Sequence, residues 1–221
     1  MNVIAINGSP RKKWNTATLL DSALAGAASQ GATTELVHLY DLKYQGCHSC
    51  FVCKRRTGPS YGRCVVNDDL KPVLERIANA DALILGSPIY YGHVSGEMRS
   101  MIERLLFQYL VYDQNYSSLC QRKIPVAMIY TMNVAQPGME ARNYPMILGA
   151  MESSLQRTLC NDQVRSLYVT DTMQFDDYAK YEVTGFDGNK KLERRETEFP
   201  KDCQKARDIG AQLASKIKGQ R

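Results

Sequence analysis

Short, wholly apolar runs, each released into a polar turn and then an amphipathic helix, constrain this chain more than any other feature. The first is VIAI at residues 3–6. An uninterrupted apolar run of this length reads as a strand buried on both faces, because a half-buried strand would alternate. Asn7, Gly8, Ser9 and Pro10 end it with turn chemistry. Arg11, Lys12 and Lys13 follow as consecutive cations, and Asn15 and Thr16 then offer N-cap side chains to a helix with Leu19, Leu20, Ala23, Leu24 and Ala27 on its apolar side and Gly31 as its C′ residue. A buried strand thus delivers a polar, basic loop to a helix N-terminus. Orphan backbone N–H groups and the helix dipole favour an anion there.

The pattern recurs along the chain. TELVHLY at 34–40 reads as a second strand, ALIL at 82–85 as a third, PVAMIY at 125–130 as a fourth and residues 164–169 as a fifth. Between them, a helix opening at Asp68 and Asp69 carries Leu70, Val73, Leu74 and Ile77. Ser95 caps another that buries Met98, Met101, Ile102 and Leu105, and a third begins near Pro145 and runs through Leu148, Met151 and Leu155. A last helix starts near Pro200 and buries Ala206, Ile209, Leu213 and Ile217. This alternation predicts an α/β fold, a doubly wound five-stranded parallel sheet with helices on both faces and right-handed crossovers. Ligands in such sheets sit outside the carboxyl ends of the strands at the topological switch point. The loops most unusual in composition, at 9–16, 87–94 and 131–139, follow strands one, three and four and so converge there.

The loop chemistry narrows the ligand. GxxxxGK[ST] and GxGxxG are both absent, which argues against a P-loop nucleotidase and a dinucleotide fingerprint. Hydroxyl and amide donors on Ser9, Asn15 and Thr16, with Arg11 and Lys13 as counter-charges, suit a terminal phosphate monoester. Pro88, Ile89, Tyr90, Tyr91 and Gly92 form a compact aromatic loop that suits a planar ring. Thr131, Met132 and Asn133 supply a hydroxyl, an amide and backbone groups for another ring edge. Phosphate at one end and a planar ring at the other describe a mononucleotide such as FMN; the bland alternative is a solvated basic loop beside half-buried tyrosines.

The chain has 221 residues and a formal charge of +5, consistent with one domain over 1–221 bearing two irregular segments. These are a cysteine-rich loop at 44–66 and a polar, aromatic arm at 171–199 that precedes the terminal helix. Lys and Arg are scattered apart from small groups such as Lys54-Arg55-Arg56 and Arg194-Arg195, which argues for anionic small ligands and against a nucleic-acid groove. No N-terminal apolar leader stands in the sequence and no apolar run approaches ~18 residues, so the expectation is a cytoplasmic protein with no membrane partner. Seven cysteines then read as reduced thiols or metal ligands. Four of them form Cys47-x2-Cys50-x2-Cys53-x10-Cys64. A [4Fe–4S] cluster, a four-thiolate zinc and metal-free redox thiols all fit that run, with the triple spacing favouring iron. Cys120, Cys160 and Cys203 stand alone as packing or surface thiols. His38 reads as structural, His48 lies within the cysteine run, and His93 follows the tyrosine loop within reach of a ring.

Gly8-Ser9-Pro10-Arg11, Asn15-Thr16 and Gly86-Ser87-Pro88-Ile89-Tyr90-Tyr91-Gly92, continuing through Val94-Ser95-Gly96-Glu97-Met98-Arg99, resemble the NADPH-dependent FMN reductases of the flavodoxin-like superfamily. The cysteine segment and Asp68-Asp69 resemble more specifically the iron–sulfur flavoprotein branch. The resemblance covers most of residues 1–104. It implies a strand order of 2-1-3-4-5 and non-covalent FMN, with phosphate contacts at Ser9, Arg11, Asn15 and Thr16 and ring contacts at 88–92 and from Thr131 onward. It also implies a [4Fe–4S] cluster on Cys47, Cys50, Cys53 and Cys64, although the last gap is longer than the branch's compact motif. Homodimers or homotetramers whose interfaces complete the flavin pocket are implied as well. The expected function is an FMN oxidoreductase that takes electrons from NAD(P)H and passes them to an acceptor, with no side chain required as acid or base. The alternative is a non-enzymatic carrier that exchanges electrons with ferredoxin-like partners.

Overall fold

A computed structural model describes residues 1–159 and 163–219; Cys160 lies outside the described residues. The expected strands form as β1 (Asn2–Asn7), β2 (Thr33–His38), β3 (Ala82–Tyr90), β5 (Val126–Thr131) and β6 (Arg165–Val169), and a two-residue β4 (His93–Val94) folds back on β3. The sheet order is β2-β1-β3-β5-β6, with β4 paired to β3 alone. The five long strands run parallel, so the order 2-1-3-4-5 holds once the short antiparallel β4 is set aside.

Continuous apolar strands are needed because both faces are covered. Ile4, Ile6, Leu83, Leu85, Val126 and Met128 face one side, packed with α2 (Leu70–Ala78), α3 (Gly96–Phe107) and α5 (Tyr144–Leu159). Their neighbours Val3, Ala5, Ala82, Ile84, Ala127 and Ile129 face the other, against α1 (Asn15–Ser29) and α7 (Phe199–Gly219). Helices α1 and α7 touch backbone to backbone. A Cβ on Gly26 would stand 1.9 Å from the Arg207 carbonyl oxygen, and one on Gly210 would stand 1.8 Å from that of Ala23. Gly31 ends α1 with φ +86°, the left-handed C′ position expected of it.

Four segments differ from the sequence expectation. The first is β3, which runs on past Leu85 to Tyr90 because Ser87 and Pro88 stay in register with β5 and Ile89 and Tyr90 pair with β4, so that Pro88, Ile89 and Tyr90 are strand and not loop. The second strand stops at His38, because a 3₁₀ turn at Leu39–Asp41 buries Leu39 in the core. The loop after β5 contains a short helix, α4 (Gln136–Ala141). The arm holds a 3₁₀ turn at Tyr178–Lys180 and a full helix, α6 (Gly188–Thr197). Asp187 caps α6, its carboxylate accepting from the Asn189 and Lys190 N–H groups. Among the described residues no helix is long and apolar enough to cross a membrane.

Candidate functional site

The ends of β1 and β3 are locked together before any ligand is considered. Gly8 N–H donates to the Gly86 carbonyl at 2.8 Å. The Ser95 hydroxyl donates to the Gly8 carbonyl at 2.6 Å and accepts from Met98 N–H at 3.3 Å, so one side chain caps α3 and pins the β1 loop. Ser95 N–H in turn donates to Ser87 Oγ at 2.9 Å. Gly8 is a packing requirement, since a Cβ there would lie 2.9 Å from that of Met98. Asn7 accepts from Ser9 N–H at 2.9 Å and pairs with His38 Nδ1 at 2.9 Å, which accounts for His38 as structural.

The start of α1 corrects one expectation. Trp14 occupies the cap position and its side chain makes no cap hydrogen bond. Asn15 and Thr16 are instead the first helical residues, and both are buried. Long-range partners take their side chains: Asn15 Nδ2 donates to the Met173 carbonyl at 2.9 Å, Asn15 Oδ1 accepts from Arg195 at 2.8 Å, and the Thr16 and Thr131 hydroxyls bond at 2.8 Å. The arm engages the same loop at two further points. Trp14 Nε1 donates to the Met173 carbonyl at 3.2 Å, and Arg11 donates to that of Gln174 at 2.6 Å.

Ser9, Arg11, Asn15, Thr16, Pro88, Ile89, Tyr90, Tyr91, Thr131, Met132 and Asn133 line one open cleft of about 1070 Å³. Lys13 is exposed and, like Gly92, is not part of this lining. Gly92 instead completes a two-residue hairpin between β3 and β4. Tyr91 and Gly92 both have positive φ, +49° and +85°, the requirement of a type I′ turn. His93 is exposed on β4, pairs with Tyr90 in the ladder and is likewise absent from the lining.

The sequence reading missed the wall supplied by the arm, by Trp14 and by Tyr144. Thr172, Met173, Gln174, Phe175 and Phe186 all face the cleft. Phe175 stacks on Tyr181 at 3.9 Å, and Tyr178 meets Phe175 and Phe186 edge-on. Lys191, buried on α6, ties this wall to the β5 loop by donating to the Asn133 carbonyl at 2.5 Å and pairing with Asp171. The one available signal was the arm's length and aromatic content, which is excessive for a plain loop. Asn133 Oδ1 is buried without a partner. An unmatched acceptor on a cleft residue is costly, and it fits the N–H edge of a planar ring.

Cys47, Cys50, Cys53 and Cys64 line a second, much smaller cavity together with His48, Phe51, Arg104, Phe107 and Gln108. The loop that carries them is irregular, with Ser49 and Phe51 both at φ +55°. Its ends are fastened by α3. Arg104, fully buried, donates to the Gln45 carbonyl at 3.2 Å and the Val66 carbonyl at 3.3 Å and pairs with Asp68. Gln108 accepts from Cys64 N–H at 3.0 Å, and Lys54 donates to the Phe107 and Leu110 carbonyls at the C-terminal end of α3. Burial pushes the Cys53 thiol pKa up, Lys54 opposes that, and the Cys64, Cys50 and Cys47 thiols raise it further. Among the described residues, no group of three or more His, Cys, Asp or Glu side chains is close enough to hold a metal ion as it stands. The donor set nevertheless fits a thiophilic centre. Arg104 Nε is buried without a partner, and thiolate or sulfide beside it would accept its hydrogen bond. Cys120 and Cys203 sit apart, packed against the two cores.

The family model for NADPH-dependent FMN reductases matches residues 1–155. The chain belongs to that family. Within it the relatives matched include iron–sulfur flavoproteins, as the resemblance to that branch led us to expect. The one from Methanocaldococcus jannaschii is 38% identical over 104 residues, which cover 47% of this chain and 51% of that protein. The chain thus spans about half the length of the curated relatives it matches. Solved structures share the fold at low identity. An NAD(P)H:quinone oxidoreductase from Methanothermobacter marburgensis superposes with a TM-score of 0.70 at 17% identity, covering 96% of this chain and 98% of that one. A flavodoxin from the domain Archaea gives 0.51 at 13% identity, covering 99% of each chain. The fold is flavodoxin-like; the cysteine-rich loop lies within the span that the family model matches, and the arm lies beyond it.

Proposed function

We propose that this chain is an FMN-dependent oxidoreductase that takes electrons from NAD(P)H, and that residues 1–221 form one flavodoxin-like domain built for that purpose. The observation that carries the reading is the convergence of three strand-end loops on one cleft whose lining includes an unmatched buried acceptor, Asn133 Oδ1. FMN in this cleft would supply hydride acceptance from a pyridine nucleotide and onward transfer of single electrons.

The chain's own residues bind and orient. Ser9 and Thr16 offer hydroxyls at the start of α1, Arg11 offers a guanidinium, and Lys13 adds charge from solvent. The α1 N-terminus, where the Trp14 side chain makes no cap hydrogen bond, presents its N–H groups to a phosphate. Pro88, Ile89 and Tyr90 support the ring side, with the Tyr91-Gly92 turn fixing the loop's exit. Met132 and Asn133 face the other ring edge, and the arm's Phe175 and Phe186 exclude water.

The same proposal assigns Cys47, Cys50, Cys53 and Cys64 to a [4Fe–4S] cluster, which would supply one-electron transfer to a small-molecule or ferredoxin-like acceptor. The names of the relatives support this, as do the shared cavity and the unpartnered Arg104 Nε. Reduced thiols suit a cytoplasmic setting. The exposed Tyr90 and Tyr91 at the cleft mouth suit a subunit interface in a homodimer or homotetramer. The test is anaerobic stopped-flow mixing of FMN-loaded protein with NADPH and with NADH. Bleaching of the flavin band by either donor is the expected result. Bleaching by neither, with rapid reduction by ferredoxin, transfers the protein to the carrier class.

A further inference from the structure

The sequence pairs Arg194 with Arg195, and the fold separates their tasks. Arg194 turns to α7 and pairs with the buried Asp202 at 2.7 Å. Arg195 lies over the ring of Phe199, the first residue of α7, at 4.0 Å and donates to Asn15 Oδ1 at 2.8 Å. Among the described residues Arg195 makes no ion pair with a carboxylate, and burial lowers its pKa. A half-buried guanidinium that is desolvated, charged and without a counter-ion is unfavourable unless an anion completes it. The residue it grips is the buried amide at the start of α1, where the helix dipole already favours negative charge.

We propose that Arg195 is a positioning residue of the phosphate site, supplied from the arm. It holds the Asn15 amide by its oxygen, so that the Nδ2 donor faces outward from Arg195. It also adds positive charge behind the loop that carries Arg11 and Lys13, from outside the residues that line the cleft. In this structure Asn15 Nδ2 and Arg11 donate to the carbonyls of Met173 and Gln174. Those carbonyl oxygens occupy donors that a phosphate oxygen would use, so phosphate binding exchanges neutral acceptors for charged ones. Charge-assisted bonds are the stronger. Arg195 lies outside residues 1–155, the span shared with the family model. The phosphate site therefore has a component from the arm, beyond the span that the family model matches.

The inference rests on the FMN reading of the cleft, and one titration separates the two. Affinities for FMN and for riboflavin, which lacks the phosphate, are measured by flavin fluorescence on wild-type protein, Arg195→Gln and Arg195→Lys, with thermal unfolding as the folding control. Wild type is expected to prefer FMN. Arg195→Gln is expected to weaken FMN by about tenfold to a hundredfold, the range for losing a charged hydrogen bond, and to leave riboflavin within about twofold. Arg195→Lys, which keeps the charge and loses the fork, is expected to recover most of the FMN affinity. Equal weakening of FMN and riboflavin in Arg195→Gln would mark a merely structural role and overturn the proposal. Unchanged FMN affinity in a folded Arg195→Gln would overturn it as well. Wild type that binds neither flavin, or both equally, removes the phosphate reading of the loop itself.

Discussion

The cleft and the cysteine cavity are built by opposite means. The cleft hangs on strand ends. Its loops leave β1, β3 and β5 in parallel register, and Ser95 and Thr16 fasten them to one another. The cysteines hang on an irregular loop whose two ends are fastened by one helix, through Arg104, Lys54 and Gln108 on or against α3. A sheet edge supplies rigidity to any loop that leaves it, whereas a long irregular loop takes its order from side-chain staples and from what it binds. Damage to one site is therefore expected to spare the other.

The largest expected effect comes from Cys53→Ser. It should abolish iron binding altogether while FMN affinity stays within about twofold, since among the described residues no cysteine lines the cleft. Loss of both cofactors in a folded variant, judged by iron analysis and flavin fluorescence, would break the separation. Arg104→Gln comes next. Removing one partner of a buried ion pair costs about 3–5 kcal/mol, and Arg104 also holds the carbonyls at both loop ends. A drop in Tm of roughly 10 °C is expected for a chain of this size, together with loss of iron. FMN affinity should stay near wild type at temperatures where the protein is folded.

Gly210→Ala acts on the opposite side. The added Cβ meets the Ala23 carbonyl, and overpacking of this kind costs about 1–3 kcal/mol. It displaces α1, which carries Asn15 and Thr16, so FMN should bind more weakly while iron content holds. The smallest effect is kinetic. In metal-free protein, Cys50 is exposed and Cys53 is buried with its thiol pKa raised. Because the thiolate is the nucleophile, iodoacetamide should modify Cys50 before Cys53, as read by peptide mass spectrometry. A Cys53 that reacts as fast as Cys50 would show that the loop opens far beyond the observed arrangement.

The sheet was legible in the sequence because burial on both faces leaves unbroken apolar runs such as residues 3–6 and 82–85, and the loops at their ends stand out by contrast. Gly31, Ser95 and Pro145 punctuate the helices by local chemistry, and each sits where that chemistry places it. What stayed hidden depends on distance along the chain. Asn15 reads as a cap from its neighbours alone, yet Met173 and Arg195 claim its side chain from 158 and 180 residues away. The arm's wall gives no periodic signal because α6 is polar nearly all round, with Lys191 its one buried residue. The hairpin at Tyr91-Gly92 was concealed because a bulky residue at positive φ is uncommon and no sequence rule anticipates it.

The most direct test of two separate centres on one scaffold is the absorption spectrum of anaerobically purified protein, with iron and zinc analysis, before and after NAD(P)H is added. Flavin bands over a broad visible shoulder, both bleaching on reduction and accompanied by iron, are the result the account predicts. Flavin bands alone, with zinc or no metal in the same sample, would contradict it.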